Sequence, residues 1–410
     1  MNAERVMAAV RAERLHGLLD TLAGFGALQA GGMNRQALSA EDFEARAWLI
    51  GEAQRIGCRV WTDACANLFI RLDGLEDLPP VMTGSHIDTQ PSGGHLDGCY
   101  GVMAGLECLL ALHDQGLRTR RPIELVVWTN EEGSRFSPGA MGSSAFVEPT
   151  RMAAYRDSLD ASGVSVGEAL DEHARRFAGL PLRDRIAAHA FIELHIEQGP
   201  VLERAGVPLG VVSGIQGVRW YQVRCHGASA HAGTTPMDMR QDAMLLATGC
   251  LPAIDALAER LAGTDKRLTF GRWHVLPNSI NTIAGEVTFS IDFRHADSAV
   301  LDAFDAALAD CLPAQAELQM LFSHPPVAFD AAVVDVLQQA AGATGEASLS
   351  LRSGAFHDAM YLATHCPTGM LFVPSRDGIS HNPKEYTEPS QLEVGARALA
   401  WSLVQLAEQA

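Results

Sequence analysis

Positive charge is scarce in this chain. Against 49 aspartates and glutamates stand only 31 lysines and arginines, giving a formal net charge of −18 over 410 residues. Nucleic acids and anionic membranes need a basic surface, so neither is expected as a partner. Long apolar runs are missing too: no stretch of about eighteen apolar residues occurs, so no membrane span is expected. The opening MNAERVMAAVRAERLHGLLD is charged throughout and has no extended apolar core of the secretory kind. Cysteine pairs are also lacking. The eight cysteines, at positions 58, 65, 99, 108, 225, 250, 311 and 366, form no C-x-x-C, which argues against a thiolate zinc site. Scattered thiols without an export signal read as the reduced cysteines of a cytoplasmic protein. No internal repeat or low-complexity tract interrupts the chain.

What is present is globular: 47% of residues are hydrophobic and 20% charged. The length exceeds one ordinary core and suits two domains. Helical spacing marks 41–57 and 101–116, each closing on glycine, while PIELVVW (122–128) reads as a buried strand. In FIELHIE (191–197), Ile192, Leu194 and Ile196 alternate with Glu193, His195 and Glu197, predicting one apolar and one polar face. Strands alternating with helices imply an α/β domain with a largely parallel sheet. The middle differs. Strands at 218–227, 268–275, 286–295 and 316–322, with helices at 239–262 and 298–312, give the order β-α-β-β-α-β of a ferredoxin-like unit over about 217–327. The expected organisation is therefore a larger domain, 1–216 with 328–410, interrupted by a smaller one at 217–327.

Four segments share one form, an apolar run followed by a polar cluster: VMTGSHIDT (81–89), ELVVWTNEEGSRF (124–136), FIELHIEQG (191–199) and GMLFVPSRDGISHNP (369–383). In open α/β sheets, sites gather where strands end. Each cluster delivers His, Asp or Glu there, so a shared metal site is expected. Imidazole and carboxylate without thiolate suit zinc, manganese, cobalt or nickel. The adjacent Glu131 and Glu132 point to opposite sides in extended chain. One could bind metal while the other handles a proton. Simpler readings exist: Asp97 could cap the helix that follows it, Glu132 could neutralise Arg135, and Arg294 could pair with Asp292.

GSHIDT, GGHLDGCYGV, TNEEGSRF, ELHIEQGP, GASAHAGTTPM and DGISHNP together resemble the metal-dependent amidases of the hydantoinase/carbamoylase group. That group includes N-carbamoyl-L-amino acid hydrolases, allantoate amidohydrolases and β-ureidopropionases. It lies within the superfamily of dinuclear aminoacylases and zinc carboxypeptidases. The likeness runs from about residue 40 to the C-terminus. It implies two divalent ions per subunit, zinc first, with manganese, cobalt or nickel open. His86, Asp97, Glu132, His195 and His381 match the ligands, with Asp97 bridging. Glu131 matches the general base, and Asp88 the carboxylate that orients His86. His231 matches a catalytic residue that stabilises the oxyanion. Gln198, Asn278, Arg294, Gly354 and Phe356 match substrate-binding positions.

By the same resemblance the inserted domain is a lid and dimerisation domain, and the protein a homodimer. Its substrate is a small anionic ureido acid, cleaved at the carbamoyl or ureido C–N bond of an N-carbamoyl-amino acid with release of ammonia. Allantoate hydrolysis, or amide hydrolysis of the aminoacylase and peptidase type, is the alternative. One position departs from the pattern: SGAFHDA carries Phe356 where the group has a small residue, which bears on the substrate side chain.

Overall fold

Four apolar runs carry the architecture. Val81–His86, Ile123–Trp128, Ala190–Ile196 and Thr368–Val373 are buried at every position, as strands covered on both faces must be. The computed structural model describes residues 2–409. The chain folds as two units, one comprising the chain up to Gly214 and from Ala328 onward, the other Ile215–Val327.

The first unit is built on a mixed sheet. Its strands are β1 (Arg59–Thr62), β2 (Leu68–Leu72), β3 (Val81–His86), β4 (Ile123–Trp128), β5 (Ala190–Ile196) and β6 (Leu209–Ile215). The second unit carries β7 (Gly217–His226), β8 (Arg267–Thr269), β9 (Trp273–Leu276), β10 (Glu286–His295) and β11 (Ala316–His324). The short β12 (Val327–Ala328), β13 (Ser348–Ser353) and β14 (Thr368–Val373) return to the first sheet. Its order is β1-β2-β4-β3-β5-β14-β6-β12, with β13 on β6. The central four, β4-β3-β5-β14, are parallel, and antiparallel strands flank them. Parallel strands end on the same side, so the four polar clusters that follow them leave the sheet along one edge.

The helices Cys99–Asp114 and Pro389–Ala407 pack into the main core, with Val102, Leu106, Leu109, Leu399 and Leu403 fully enclosed. The helix Ala40–Arg55 starts at Ser39, whose hydroxyl accepts from Asp42 N. Asp97 does not cap the helix Cys99–Asp114; Gly98 holds that position without a side-chain bond. The polar face expected on 191–197 turns into the interior, where β5 is covered on both sides and Glu193 and His195 are buried with it.

The second unit is an antiparallel sheet, β11-β7-β10-β8, with β9 also on β10. On β10, Val287, Phe289, Ile291 and Phe293 turn into a core shared with the helices Ala243–Ala262 and Ser298–Leu308. The single strand expected at 268–275 is two, β8 and β9. Between them, Arg272 N donates to the Ser290 hydroxyl (3.0 Å) and Ser290 N to Arg272 O (3.0 Å), so a side chain interrupts the ladder. Asp242 caps the long helix at Ala243, later than the expected start, after a separate 3₁₀ turn at Met237–Met239. No helix among the described residues is long and apolar enough to cross a membrane.

Candidate metal centre

Asp97 is the point on which the polar clusters converge. It sits between β3 and the helix Cys99–Asp114 and is nearly enclosed. Its Oδ1 lies 3.1 Å from His195 Nε2 and 3.6 Å from His86 Nε2. Its Oδ2 lies 3.3 Å from His381 Nε2, and that nitrogen is 3.4 Å from Glu132 Oε2. Two groups therefore share one carboxylate: His86, Asp97 and His195, and Asp97, Glu132 and His381. Glu131 lies alongside, its Oε2 3.4 Å from His86 Nε2.

The imidazoles are aimed. His86 Nδ1 lies 2.9 Å from Asp88 O, and His195 Nδ1 lies 2.8 Å from Ile196 O. A carbonyl only accepts, so each Nδ1 carries a proton and each Nε2 is the nitrogen turned toward Asp97. An imidazole nitrogen facing a carboxylate oxygen needs a cation between the two, a proton or a metal ion. Burial holds the His86 imidazole down to about 4, keeping it neutral. At His195 burial also acts downward, but the hydrogen bond and charge of Asp97 outweigh it and lift the group to about 9. Glu132 is pushed up to about 8 by burial and by Asp97. Burial, then the carboxylates of Asp358 and Glu132, pushes Glu131 well above the carboxylate range. Packed this closely, the groups call for added positive charge, and imidazole with carboxylate is a donor set for borderline divalent cations. The residues thus fit a pair of such ions.

The backbone around the centre is constrained. Asn130, Gln198 and His381 all adopt left-handed conformations, with φ of 55°, 56° and 54°, a strain that concentrates at functional sites. Gly98 is also left-handed, at φ 63°. A Cβ there would collide with His86 Nε2, so only glycine leaves the ligand face of that imidazole open.

Asp88 acts differently from the expectation. Its carbonyl, rather than its carboxylate, meets His86, because Oδ1 is 3.8 Å from Nδ1. The carboxylate instead accepts from the backbone amides of Glu131 (3.3 Å) and Glu132 (3.2 Å). It thus orients the glutamate pair. Arg135 does not neutralise Glu132. It pairs with Asp160 at 3.0 Å and donates to Ala37 O and Leu38 O. Gln198, expected at the substrate, donates from Nε2 to Asp97 Oδ2 at 2.7 Å.

Three supports escaped the sequence reading. Ser380 Oγ donates to Asp97 Oδ2 at 2.7 Å. Glu385, buried, accepts from Leu96 N (2.8 Å) and Asp97 N (3.1 Å), and its Oε2 lies 3.0 Å from Ser380 Oγ. Gln90 donates from its backbone and side chain to the Glu132 carboxylate, at 3.1 and 2.9 Å. The usable signal was a carboxylate four residues beyond His381 in a proline-bearing loop.

Gly354 and Phe356 lie in the loop between β13 and the short helix Ala359–Leu362, Gly354 exposed and Phe356 half-buried. His231, Asn278 and Arg294 belong to the second unit. His231 is exposed, bridges to Thr282 and accepts from Gly233 N at 3.0 Å. Asn278 lines a cavity of 530 Å³ together with Arg240, Asp242 and Ile280. Arg294 forks onto Asp292 at 3.0 and 2.8 Å.

The chain matches peptidase family M20/M25/M40 over residues 82–404. It is 36% identical to an N-carbamoyl-L-amino acid amidohydrolase of Geobacillus stearothermophilus, over 97% of this chain and 99% of that one. It is 37% identical to the allantoate amidohydrolase of Escherichia coli K12, over 95% and 97% respectively. Among solved structures, an amidase of the hydantoinase/carbamoylase family from Burkholderia multivorans superposes with a TM-score of 0.90 at 41% identity, covering 98% of each chain.

Proposed function

The chain belongs to peptidase family M20/M25/M40, and from that premise we propose that it is a metal-dependent amidohydrolase cleaving the carbamoyl or ureido C–N bond of an N-carbamoyl-amino acid or an allantoate-like ureido acid. One observation carries this reading: a single buried carboxylate, Asp97, faces two imidazole nitrogens with one oxygen and a third with the other.

His86, Asp97 and His195 would hold one divalent ion, and Asp97, Glu132 and His381 the second. Bound there, the pair would supply Lewis acidity at the carbamoyl oxygen and neutralise the carboxylates. The remaining work falls to the protein. Glu131, held by Asp88 through its backbone amide, takes the proton of the attacking water and delivers it to the leaving nitrogen. Its burial raises the carboxyl well above the usual carboxylate range, the direction that lets it hold the proton before delivery. Gln198 and Ser380 fix the Asp97 carboxylate. We read His231 as the residue that stabilises the oxyanion and Asn278, Arg294, Gly354 and Phe356 as substrate contacts. Arg294 already grips a carboxylate in forked fashion, the geometry an anionic substrate needs. In this reading the second unit is the lid and dimerisation domain of a cytoplasmic homodimer, and zinc the first metal to test, followed by manganese, cobalt and nickel.

Ammonia release over a panel of N-carbamoyl-α-amino acids, β-ureidopropionate and allantoate, beside N-acetyl amino acids scored for free amine, tests the reading. Turnover confined to ureido compounds is expected. Preference for the N-acetyl compounds would replace it with an aminoacylase-type function.

A further inference from the structure

The most deeply buried arginine is Arg35, with no exposed surface. It precedes the stretch that matches the family. Its guanidinium donates from Nε to Ile87 O (2.7 Å), from Nη1 to Leu22 O (2.7 Å) and Phe25 O (2.6 Å), and from Nη2 to Cys99 Sγ (3.0 Å). These partners are three carbonyls and a cysteine sulfur that itself lies 3.7 Å from Ile87 O. None of the four is a carboxylate. Enclosing a cation without a carboxylate partner is costly, and packing alone would be served by an apolar side chain.

What the guanidinium reaches explains its presence. Ile87 adjoins His86. Cys99 is two residues beyond Asp97, and its amide donates to Asp97 O at 2.6 Å. The backbone of Arg35 adds to the hold: its N donates to the Thr89 hydroxyl (3.0 Å) and its O accepts from Thr89 N (2.8 Å). One planar fork therefore spans the segment after β3 and the segment opening the helix Cys99–Asp114. Only a guanidinium has donors at those fixed angles. The neighbouring chain makes similar ties. Met33 exchanges backbone bonds with Gly93 at 3.0 Å, Arg46 donates to the Thr129 hydroxyl at 3.2 Å, and Arg135, three residues past Glu132, reaches back to Ala37 O and Leu38 O.

We propose that Arg35 is a positioning residue for the metal centre, holding Ile87 and Cys99 in register so that His86 Nε2 and the Asp97 carboxylate face each other at binding distance. The proposal rests on the metal reading of the site and extends it to a residue that touches neither ion nor substrate.

The test titrates metal-free protein with Co²⁺, following visible absorption and competition with a chelator, and measures the melting temperature with and without Co²⁺. Arg35→Lys keeps the charge but cannot span the four acceptors. It should bind Co²⁺ about 10–100-fold more weakly, the usual cost of losing an outer partner of a metal ligand, and gain less in melting temperature when Co²⁺ is added. Cys99→Ala removes only the tie to the Asp97 side and should weaken binding in the same direction by a smaller factor. A residue serving stability alone would lower both melting temperatures equally and leave affinity unchanged, which overturns the proposal. An Arg35→Lys chain that cannot fold without metal, or a Cys99→Ala protein with unaltered affinity, also overturns it. Wild-type protein that takes up no Co²⁺ would instead defeat the metal reading, and this role with it.

Discussion

The adjacent glutamates offer the sharpest test of the chemistry, because the structure gives them different neighbours. Glu131 Oε2 is 3.4 Å from His86 Nε2, and Glu132 Oε2 is 3.4 Å from His381 Nε2. Their backbone amides are pinned to the same carboxylate, that of Asp88, so the two side chains diverge from a fixed base. Glu131→Gln keeps the shape and removes the proposed proton acceptor. General base catalysis is worth roughly 10²–10⁴ in rate, or about 3–5 kcal/mol in the barrier. Turnover should fall by that much while two metal ions per subunit remain. Glu132→Gln has a different consequence. Both oxygens of Glu132 accept from Gln90, so a glutamine must turn its NH₂ either toward a donor or toward the ion. The lost charge-assisted bond alone costs about 1.5–3 kcal/mol, and the ion loses a ligand as well. One ion of the pair should be lost on dialysis. Metal content by mass spectrometry, beside single-turnover ammonia release, separates the two outcomes. A Glu131→Gln protein with one ion, and a Glu132→Gln protein with two, would refute the assignment.

Further perturbations reach other parts of the argument. Gly98→Ala places a methyl on the ligand face of His86 in a left-handed residue; it should cost about 1–2 kcal/mol in stability and abolish tight Co²⁺ uptake, and normal uptake would show that this face is not the binding face. Burial between Phe43 and Phe177, with Arg46 nearby, holds the His173 imidazole down to about 3. The unfolded chain therefore binds its proton first, below about 6.5, and stability should fall by about 2 kcal/mol between pH 7.5 and 5 on this account. Urea unfolding should show that slope reduced in His173→Gln, and an unchanged slope would remove the residue from the balance. Phe356→Gly should shift preference toward bulkier substrate side chains in the ammonia-release panel, and an identical profile would show that the ring does not line the pocket.

Much of the proposed centre was legible in the sequence because its candidate ligands ride on the least ambiguous elements. An apolar run such as ELVVW reads as a buried strand whatever surrounds it, and a polar cluster at its end stands out against it. Parallel pairing of β4, β3, β5 and β14 then turns four separate sequence signals into one edge. The same logic shows what could not be read. Alternation in FIELHIE predicts one apolar and one polar face, and does not tell that both sides of β5 are covered. Glu193 is therefore buried, accepting from the Ser85 hydroxyl at 2.7 Å and Ala359 N at 2.8 Å. Periodicity reports which residues share a face, not what lies against it. The split of β8 from β9 depends on a single serine hydroxyl across the ladder, below the resolution of any pattern.

The supports of the centre were hidden for a further reason. Ligands must be histidine or carboxylate, so their types announce them. The groups that orient them use whatever donor or acceptor is at hand: the carbonyls of Asp88 and Ile196, the amides of Leu96 and Asp97, a serine hydroxyl, a thiol. Backbone groups have no residue signature. Arg35 is marked only by burial, which sequence does not display for a charged side chain, and Glu385 only by its place four residues beyond His381. Hence a set of ligands can survive in a motif while part of the geometry that would make them a centre is held by residues outside the motifs, here Gln90, Glu385 and Arg35. Asp97 is the case in point: its two oxygens face three imidazoles and accept from an amide and a hydroxyl. The donors that fix its plane, Gln198 and Ser380, come from the segments that follow β5 and β14, while Asp97 itself follows β3. The carboxylate stands between both groups because the sheet order β3-β5-β14 brings those three strand ends together around it, and an order that parted these strands would separate the proposed ligands.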